Sequence, residues 1–227
     1  MGSGSVQDYR ASHRAPVDDV GCSTLADADA EPKVFRYQNL VALQLSSQTK
    51  DPINAAAMAR LKEQLPTGLT PQSVLDVSEK RLQELLYGVS FHLKKAVYMQ
   101  STARILIDSH DSDVPSTVEG LLALPGIGPK MAYLALQSCW NIQEAGIGVD
   151  THVHRISNKL GWVRTRKEDP EATRKELQDW LPSKYWAEVN PLLVGFGQVC
   201  CSAVKPKCSE CPVEQYCSKL DFKKKLK

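Results

Sequence analysis

Several sequence features are missing from this chain of 227 residues, and each absence excludes a class of protein. No apolar run approaches the roughly 20 residues that span a membrane, and the sequence has neither an apolar secretory segment nor a glycosylation sequon. Lysine and arginine total 28 against 26 acidic residues, so the net charge of +2 neither requires nor excludes a nucleic-acid partner. We therefore expect a soluble intracellular protein with no membrane partner.

Sustained alternation of apolar and polar residues is also absent, and so is an internal repeat. From Val34 onward, apolar residues instead recur at helical spacing, for example at Ala96, Met99 and Ala103. Residues 1–33 are rich in Gly, Ser, Asp and Ala and are expected to form a flexible leader. The sequence thus predicts an all-α fold.

Cap residues mark where several helices should begin. Thr70, followed by Pro71, is a predicted N-cap, and Ser78 is another. In the stretch STVE, Ser116 and Glu119 match a capping box that would open a short helix.

The stretch LPGIGPKMA, residues 124–132, interrupts the helical pattern. Pro125 and Gly126 would end one helix, and Gly128 with Pro129 would begin the next, which predicts a helix–hairpin–helix. The glycines allow backbone N–H groups to point outward together and hold one phosphate. A tight turn between two packed helices explains the same residues, and the spacing is neither that of a dinucleotide fingerprint nor that of a Walker loop.

Lys130 follows this hairpin in the first turn of a helix, where the helix dipole disfavours a cation. A lysine there can bind a phosphate, face water, or attack carbon as a nucleophile. Asp150 directly precedes the helical stretch THVHRISNKL. An N-cap role alone explains an aspartate at this place, but a rigidly held carboxylate also suits a group that stabilises a nearby cation.

Near the C-terminal end, four cysteines have the spacing C-x6-C-x2-C-x5-C, namely Cys201, Cys208, Cys211 and Cys217. Four thiolates can enclose a zinc ion or a [4Fe–4S] cluster, and spacing alone does not decide between them. Cys200 is expected to be packed or unligated, and Cys139 to lie in the core. Lys205 and Lys207, on the loop between the first two ligands, could contact phosphates or simply face water.

Together, LPGIGPK, VDTHVHR and the four-cysteine loop closely resemble the endonuclease III family of DNA base-excision glycosylases. LPGIGPKMA and LLVGFGQ are similar to its eukaryotic branch, and the match extends over about Val34–Cys217. The resemblance implies two helical domains that flank a DNA-binding cleft. Residues 34–142 would carry the hairpin, residues 143–217 an iron–sulfur cluster, and residues 218–227 would form a basic tail.

The resemblance also implies the chemistry of single residues. Lys130 matches the catalytic lysine of the family and Asp150 its catalytic aspartate. The phosphate-binding hairpin corresponds to Leu124, Gly126 and Gly128. The ligands of the [4Fe–4S] cluster correspond to Cys201, Cys208, Cys211 and Cys217, which favours iron over zinc.

Two further stretches resemble segments of the family that probe the duplex. In LSSQTKD, Gln48 matches the residue that fills the gap left by an extruded base, with Ser46 beside it. In YGVSFHLKKA, Phe91 is a candidate wedge, and Ser90 stands where a glycine is common. The family usually has an apolar helix near its start, and residues 1–33 show no convincing counterpart.

The implied function is a base-excision repair glycosylase with AP lyase activity, acting as a monomer on double-stranded DNA that contains oxidised bases or abasic sites. Related adenine glycosylases lack a lysine at the position that matches Lys130. The resemblance therefore favours oxidised pyrimidines, such as thymine glycol, as the substrate. The alternatives are a non-catalytic DNA-binding module and a related glycosylase for adenine mispairs or oxidised guanine. The C-terminal KKKLK could aid nuclear import or simply form a solvated tail. We expect the protein in the nucleus, with the mitochondrion as a second location.

Overall fold

The computed structural model describes residues 5–219 and confirms the all-α prediction, with no β-strand in that range. The helices are α1 (Val6–Ser12), α2 (Pro16–Val20), α3 (Pro32–Ser46), α4 (Asp51–Gln64), α5 (Pro71–Leu75), α6 (Glu79–Leu85), α7 (His92–Ser109), α8 (Val118–Leu122), α9 (Pro129–Trp140), α10 (Thr151–Leu160), α11 (Pro170–Trp180) and α12 (Trp186–Val199). Short 3₁₀ turns lie at Cys22–Thr24, Ser183–Tyr185, Cys208–Glu210 and Glu214–Tyr216. None of the described helices is long and apolar enough to cross a membrane.

Two of the three N-caps predicted at Thr70, Ser78 and Ser116 agree with the structure. The Thr70 side chain accepts a hydrogen bond from the Ser73 amide at the start of α5, and the Ser78 side chain accepts one from the Arg81 amide at the start of α6. The third prediction was wrong by one residue, because Thr117 rather than Ser116 caps α8 and accepts from the Gly120 amide. Since the N3 position is then a glycine, no side chain is available to close a capping box.

One compact unit extends from Val20 to Ile142 and is built around α3. Every residue of α3 from Tyr37 to Leu45 is buried, because α4, α7 and α9 pack against it. A helix enclosed in this way is a central scaffold, and its C-terminal end offers a rigid support for the loop that follows.

The second compact unit combines the described residues up to Asp19 with those from Gln143 onward. Its apolar core is formed mainly by α10, α11 and α12, including Val153, Ile156, Leu177, Leu193 and Phe196. The helix α1 packs on α12 and adds Val6 to this core.

This N-terminal packing corrects the predicted flexible leader of residues 1–33 over residues 5–33, the part that the structure describes. Val6 is 7% exposed and Ala15 is 2% exposed, so a few apolar residues anchor the segment although its average composition is polar. The turn Cys22–Thr24 packs instead on α3 and α4, and α3 itself already begins at Pro32. A short helix is therefore present near the start, and Val6 is the buried residue of that helix.

The predicted basic tail lies mostly outside the described residues, which end at Lys219.

Candidate active site and metal centre

The hairpin between α8 and α9 is held by buried apolar residues on both sides of its turn. Leu124 is 2% exposed and Ile127 is 7% exposed, and both point into the Val20–Ile142 unit. Gly126 has a φ of +79°, and a Cβ there would lie 2.5 Å from Cδ2 of Tyr98. Only glycine fits this position, since any side chain would be strained in its backbone and would overlap the Tyr98 ring.

A buried glutamine fixes the hairpin to the central helix. Nε2 of Gln44, in α3, donates to the Pro125 carbonyl at 3.1 Å and to Oγ1 of Thr102 at 3.1 Å. These bonds tie the turn to both α3 and α7. The hairpin is therefore a rigid element rather than a loose connection.

The start of α9 has the form that the sequence predicted. Gly128 is the N-cap, provides no side-chain hydrogen bond to the helix, and is followed by Pro129 at the first helical position. The half-buried Lys130 comes next, in the first turn. An N-terminus without a capping side chain leaves backbone N–H groups free to bind an anion.

Cys22 lies close to Lys130. Burial raises the pKa of the Cys22 thiol, whereas the positive charge of Lys130 and a hydrogen bond with Ser46 both lower it. Cys22, Ser46 and Lys130 therefore lie near one another in the Val20–Ile142 unit. Cys22 lies within residues 1–33, so its burial is a second correction of the predicted flexible leader.

Gln48 and Phe91 lie at the rim of a cavity of about 250 Å³ in the same unit. Phe91 is 63% exposed, and Gln48 is also exposed. The cavity is lined by Gln44, Ser47, Gln48, Phe91, Lys94, Lys95, Tyr98, Gly126 and Met131. The structure thus brings both predicted probing residues and the hairpin glycine to one surface feature.

Lys95 is a residue of this region that the sequence analysis missed. It is 7% exposed, and burial lowers its pKa from 10.5 to about 8. Its position shares the helical spacing of the buried residues Met99, Thr102 and Leu106. A lysine on the buried face of a helix was the signal that could have revealed it.

Asp150 belongs to the unit that contains the residues from Gln143 onward. Its Oδ1 accepts a hydrogen bond from the Val153 amide at 2.8 Å, which makes it the N-cap of α10, as the sequence predicted. The following turn is packed closely against α12, because a Cβ on Gly197 would overlap the His152 ring. The carboxylate is therefore fixed in place at the start of a buried helix.

The four C-terminal cysteines line one cavity of about 230 Å³, together with Cys200, Lys159, Lys207 and Lys219. Arg155 Nη2 donates to the Cys201 carbonyl at 2.7 Å, and the Lys207 amide donates to the Cys200 carbonyl at 2.9 Å, so the loop is tied to the core. Cys200 is 2% exposed and belongs to the apolar core, whereas Cys201 is more accessible.

Within residues 5–219, no group of three or more His, Cys, Asp or Glu side chains is arranged to hold a single metal ion. An iron–sulfur cluster places its own iron and sulfide atoms between the cysteine sulfurs, so its ligands surround a wider space than those of zinc do. The four cysteines line one cavity of about 230 Å³, and four thiolates are the ligand set of a [4Fe–4S] cluster.

Lys205 and Lys207 are exposed on the loop between Cys201 and Cys208. Nζ of Lys207 lies 4.0 Å from Oε2 of Glu210. This is a surface ion pair of little strength, which leaves the lysine free to exchange partners.

Elsewhere, Cys139 is buried as expected, and burial raises its pKa to about 12.

Comparison with known proteins identifies the family. Residues 41–183 match the HhH-GPD superfamily of base excision DNA repair proteins, and residues 201–217 match the iron-sulfur binding domain of endonuclease III. The chain is 47% identical to endonuclease III-like protein 1 of Gallus gallus over 212 residues, which cover 93% of this chain and 74% of that relative. The chain belongs to the endonuclease III family. It is a DNA glycosylase of base-excision repair, and its cofactor is a [4Fe–4S] cluster.

Solved structures agree with this assignment. A non-covalent endonuclease III–DNA complex is 26% identical with a TM-score of 0.76, covering 95% of this chain and 96% of that one. A trapped covalent endonuclease III–DNA intermediate is 25% identical with a TM-score of 0.77, covering 94% of this chain and 92% of that one. Both are similar to this chain over nearly its whole length.

Proposed function

We propose that this enzyme removes oxidised pyrimidines such as thymine glycol from double-stranded DNA and then cuts the strand through a Schiff base on Lys130. One observation carries the proposal: Lys130 lies in the first turn of α9, directly after a rigid glycine hairpin without a side-chain cap. Such a hairpin suits one backbone phosphate, and a bound phosphate would bring the neighbouring sugar within reach of the lysine.

The chemistry assigned to Lys130 is a substitution followed by an elimination. Its Nζ attacks C1′ of the everted nucleotide while the C1′–N bond breaks, and the base leaves with the bond electrons and takes up a proton. Opening of the sugar ring gives a C1′ imine, which acidifies the proton on C2′. Loss of that proton breaks the C3′–O bond and releases the 3′ part of the strand, and water then hydrolyses the imine.

Asp150 is proposed as the carboxylate that stabilises positive charge at the sugar and accepts protons during these steps. Support comes from its hydrogen bond with the Val153 amide, which fixes the orientation of the side chain. The two roles are compatible, because an N-cap aspartate still has a second carboxylate oxygen that can interact.

The proposed DNA contacts divide between two tasks. Leu124, Gly126 and Gly128 form the hairpin that would hold a phosphate of the damaged strand. Gln48 would fill the space left by the everted base, with Ser46 beside it and Phe91 as a wedge. The two exposed lysines of the cysteine loop, Lys205 and Lys207, would contact phosphates.

Cys201, Cys208, Cys211 and Cys217 are the proposed cluster ligands, since all four line the same cavity. When bound, the cluster supplies a rigid covalent crosslink of the loop rather than a reacting group. The loop then presents Lys205 and Lys207 in a fixed direction.

Base release from a panel of duplexes tests the substrate assignment. We expect rapid release of thymine glycol and cleavage at abasic sites, with little activity on adenine mispairs or oxidised guanine. Preferred release of adenine or oxidised guanine would overturn the pyrimidine assignment. Binding without any base release would instead favour a non-catalytic DNA-binding module.

We further propose that the enzyme acts as a monomer in the nucleus, with the mitochondrion as a second location. Support for nuclear import comes from the C-terminal KKKLK. One plant relative, endonuclease III homolog 1 of Arabidopsis thaliana, is a chloroplastic form, so members of the family do differ in location. Light scattering and imaging of the tagged chain would test the two statements separately.

A further inference from the structure

Gln48 and Phe91 share an unusual backbone conformation. Their φ angles are +54° and +57°, in the left-handed region that side-chain-bearing residues rarely adopt. Strained residues of this kind persist only where their surroundings hold them, and they are frequent at functional sites. The contacts that hold these two residues are therefore informative.

Lys95 contacts the segment on both sides of Gln48. Its Nζ donates to the Ser47 carbonyl at 2.7 Å, to Oγ1 of Thr49 at 3.2 Å, and to the carbonyl of Leu45 at 2.8 Å. These bonds satisfy carbonyl groups at the C-terminal end of α3, where a cation is favourable. The Lys95 amide also donates to the Phe91 carbonyl at 3.0 Å, so one residue touches both strained segments.

Ser90 completes the connection from the other side. Its Oγ donates to the Gln48 carbonyl at 2.7 Å, and its amide donates to Oγ1 of Thr49 at 3.3 Å. We call the hydrogen bonds from Lys95 Nζ and Ser90 to residues 47–49 the clasp. Because Ser90 directly precedes Phe91, the clasp joins the two loops at the strained residues themselves.

Filling space does not explain the lysine of the clasp. Burial disfavours the ammonium, and a methionine would occupy nearly the same volume without this cost. Retaining the charge becomes useful if three donors are needed to hold a loop in one geometry.

We propose that Lys95 and Ser90 are positioning residues that hold Gln48 and Phe91 as one unit, so that both enter the duplex together when a base is everted. The inference rests on the proposed function, because it uses the DNA-probing roles given to these two residues there. Two residues that are already held together lose less conformational entropy when the base is everted than two independent loops would.

The test compares two reactions under single-turnover conditions. Releasing thymine glycol requires a stacked base to be everted, whereas a preformed abasic site has no base to unstack. We expect Lys95→Met and Ser90→Ala each to slow base release about tenfold, as for the loss of a hydrogen bond worth about 1.4 kcal/mol in the everted complex. Borohydride trapping on the abasic duplex should change less than about twofold, within the effect of a neutral surface change.

Two variants serve as matched controls. Ser90→Thr keeps the hydroxyl and should retain base release. Lys62→Met removes a lysine of the same unit that donates to the Leu25 carbonyl and to Asp27 away from the two loops, and it should also leave base release unchanged. If Lys95→Met unfolds, Ser90→Ala against Ser90→Thr still decides the question.

Wild-type rates of base release in Lys95→Met and Ser90→Ala would overturn the proposal, and so would an equal fall in base release and trapping. A 2-aminopurine placed opposite the lesion reports unstacking without any chemistry. We expect its fluorescence to rise with wild-type enzyme and to rise less with the two clasp variants. Absence of trapping by the wild type would contradict the proposed function. The 2-aminopurine fluorescence would still test whether the clasp assists unstacking.

Discussion

Replacing Gly195 with alanine tests how the N-terminal segment is held on α12. Glycine inside a helix is about 1 kcal/mol less stable than alanine, so the substitution by itself should stabilise α12. Here, however, a Cβ on Gly195 would overlap the Arg10 guanidinium. That guanidinium is buried, with 8% side-chain exposure, and it pairs with Oδ1 of Asp18 at 2.5 Å and with the His13 carbonyl.

The magnitude follows from the contacts that must shift. If the guanidinium moves, it loses hydrogen bonds worth about 1.5–3 kcal/mol, which outweighs the helix gain of about 1 kcal/mol. Gly195→Ala should therefore destabilise the wild type by about 0.5–2 kcal/mol. In an Arg10→Ala background, the same change should stabilise the protein by up to about 1 kcal/mol.

The assay is thermal unfolding of the wild type, the two single variants and the double variant. Circular dichroism follows the helices, and the visible absorbance of the cluster follows the unit that contains Arg10 and Gly195. Opposite signs of the Gly195→Ala effect in the two backgrounds are expected. Equal effects in both backgrounds would refute the packing of Arg10 over Gly195.

Three shorter predictions concern the hairpin, the cluster and Lys95. Gly126→Ala should lower the free energy of unfolding by about 2–4 kcal/mol and weaken DNA binding, because Gly126 has a positive φ and a Cβ there would overlap the Tyr98 ring. Gly128→Ala should lower the free energy of unfolding by about 1 kcal/mol or less, because the space around its Cβ is open. Cys211→Ser should lower the iron content per chain, and an unchanged content would contradict its role as a ligand; Cys22→Ser is the control. Since burial lowers the pKa of Lys95 to about 8, the native state loses this proton before the unfolded chain does. The free energy of unfolding of wild type relative to Lys95→Met should therefore rise from about pH 8 towards pH 10.5, and a flat difference would contradict the burial of the charge.

Local signals explain what the sequence could predict. Gly128 with Pro129 and Asp150 are helix starts that depend on neighbouring residues alone, so their positions were predictable. The all-α fold followed from helical spacing in the same way. The shift from Ser116 to Thr117 shows the limit, since two adjacent residues can both cap and packing selects one.

Tertiary contacts explain what the sequence analysis missed. A helix as short as α1, with 7 residues, is unstable alone and depends on packing against α12, although Ser5 and Asp8 form a readable capping box. The clasp joins segments that lie about 45 residues apart in the chain, as the bonds of Lys95 and Ser90 show. Nothing local in the sequence specifies which carbonyl groups a buried lysine will reach.

Borohydride trapping on a duplex with one abasic site tests the central claim most directly. Reduction converts the imine between Lys130 and C1′ into a stable amine, and peptide mapping then identifies the modified lysine. We expect an adduct on Lys130 in the wild type and in Lys62→Gln, and none in Lys130→Gln. A wild type that forms no adduct, or a Lys130→Gln variant that forms it at the wild-type level, would contradict the account.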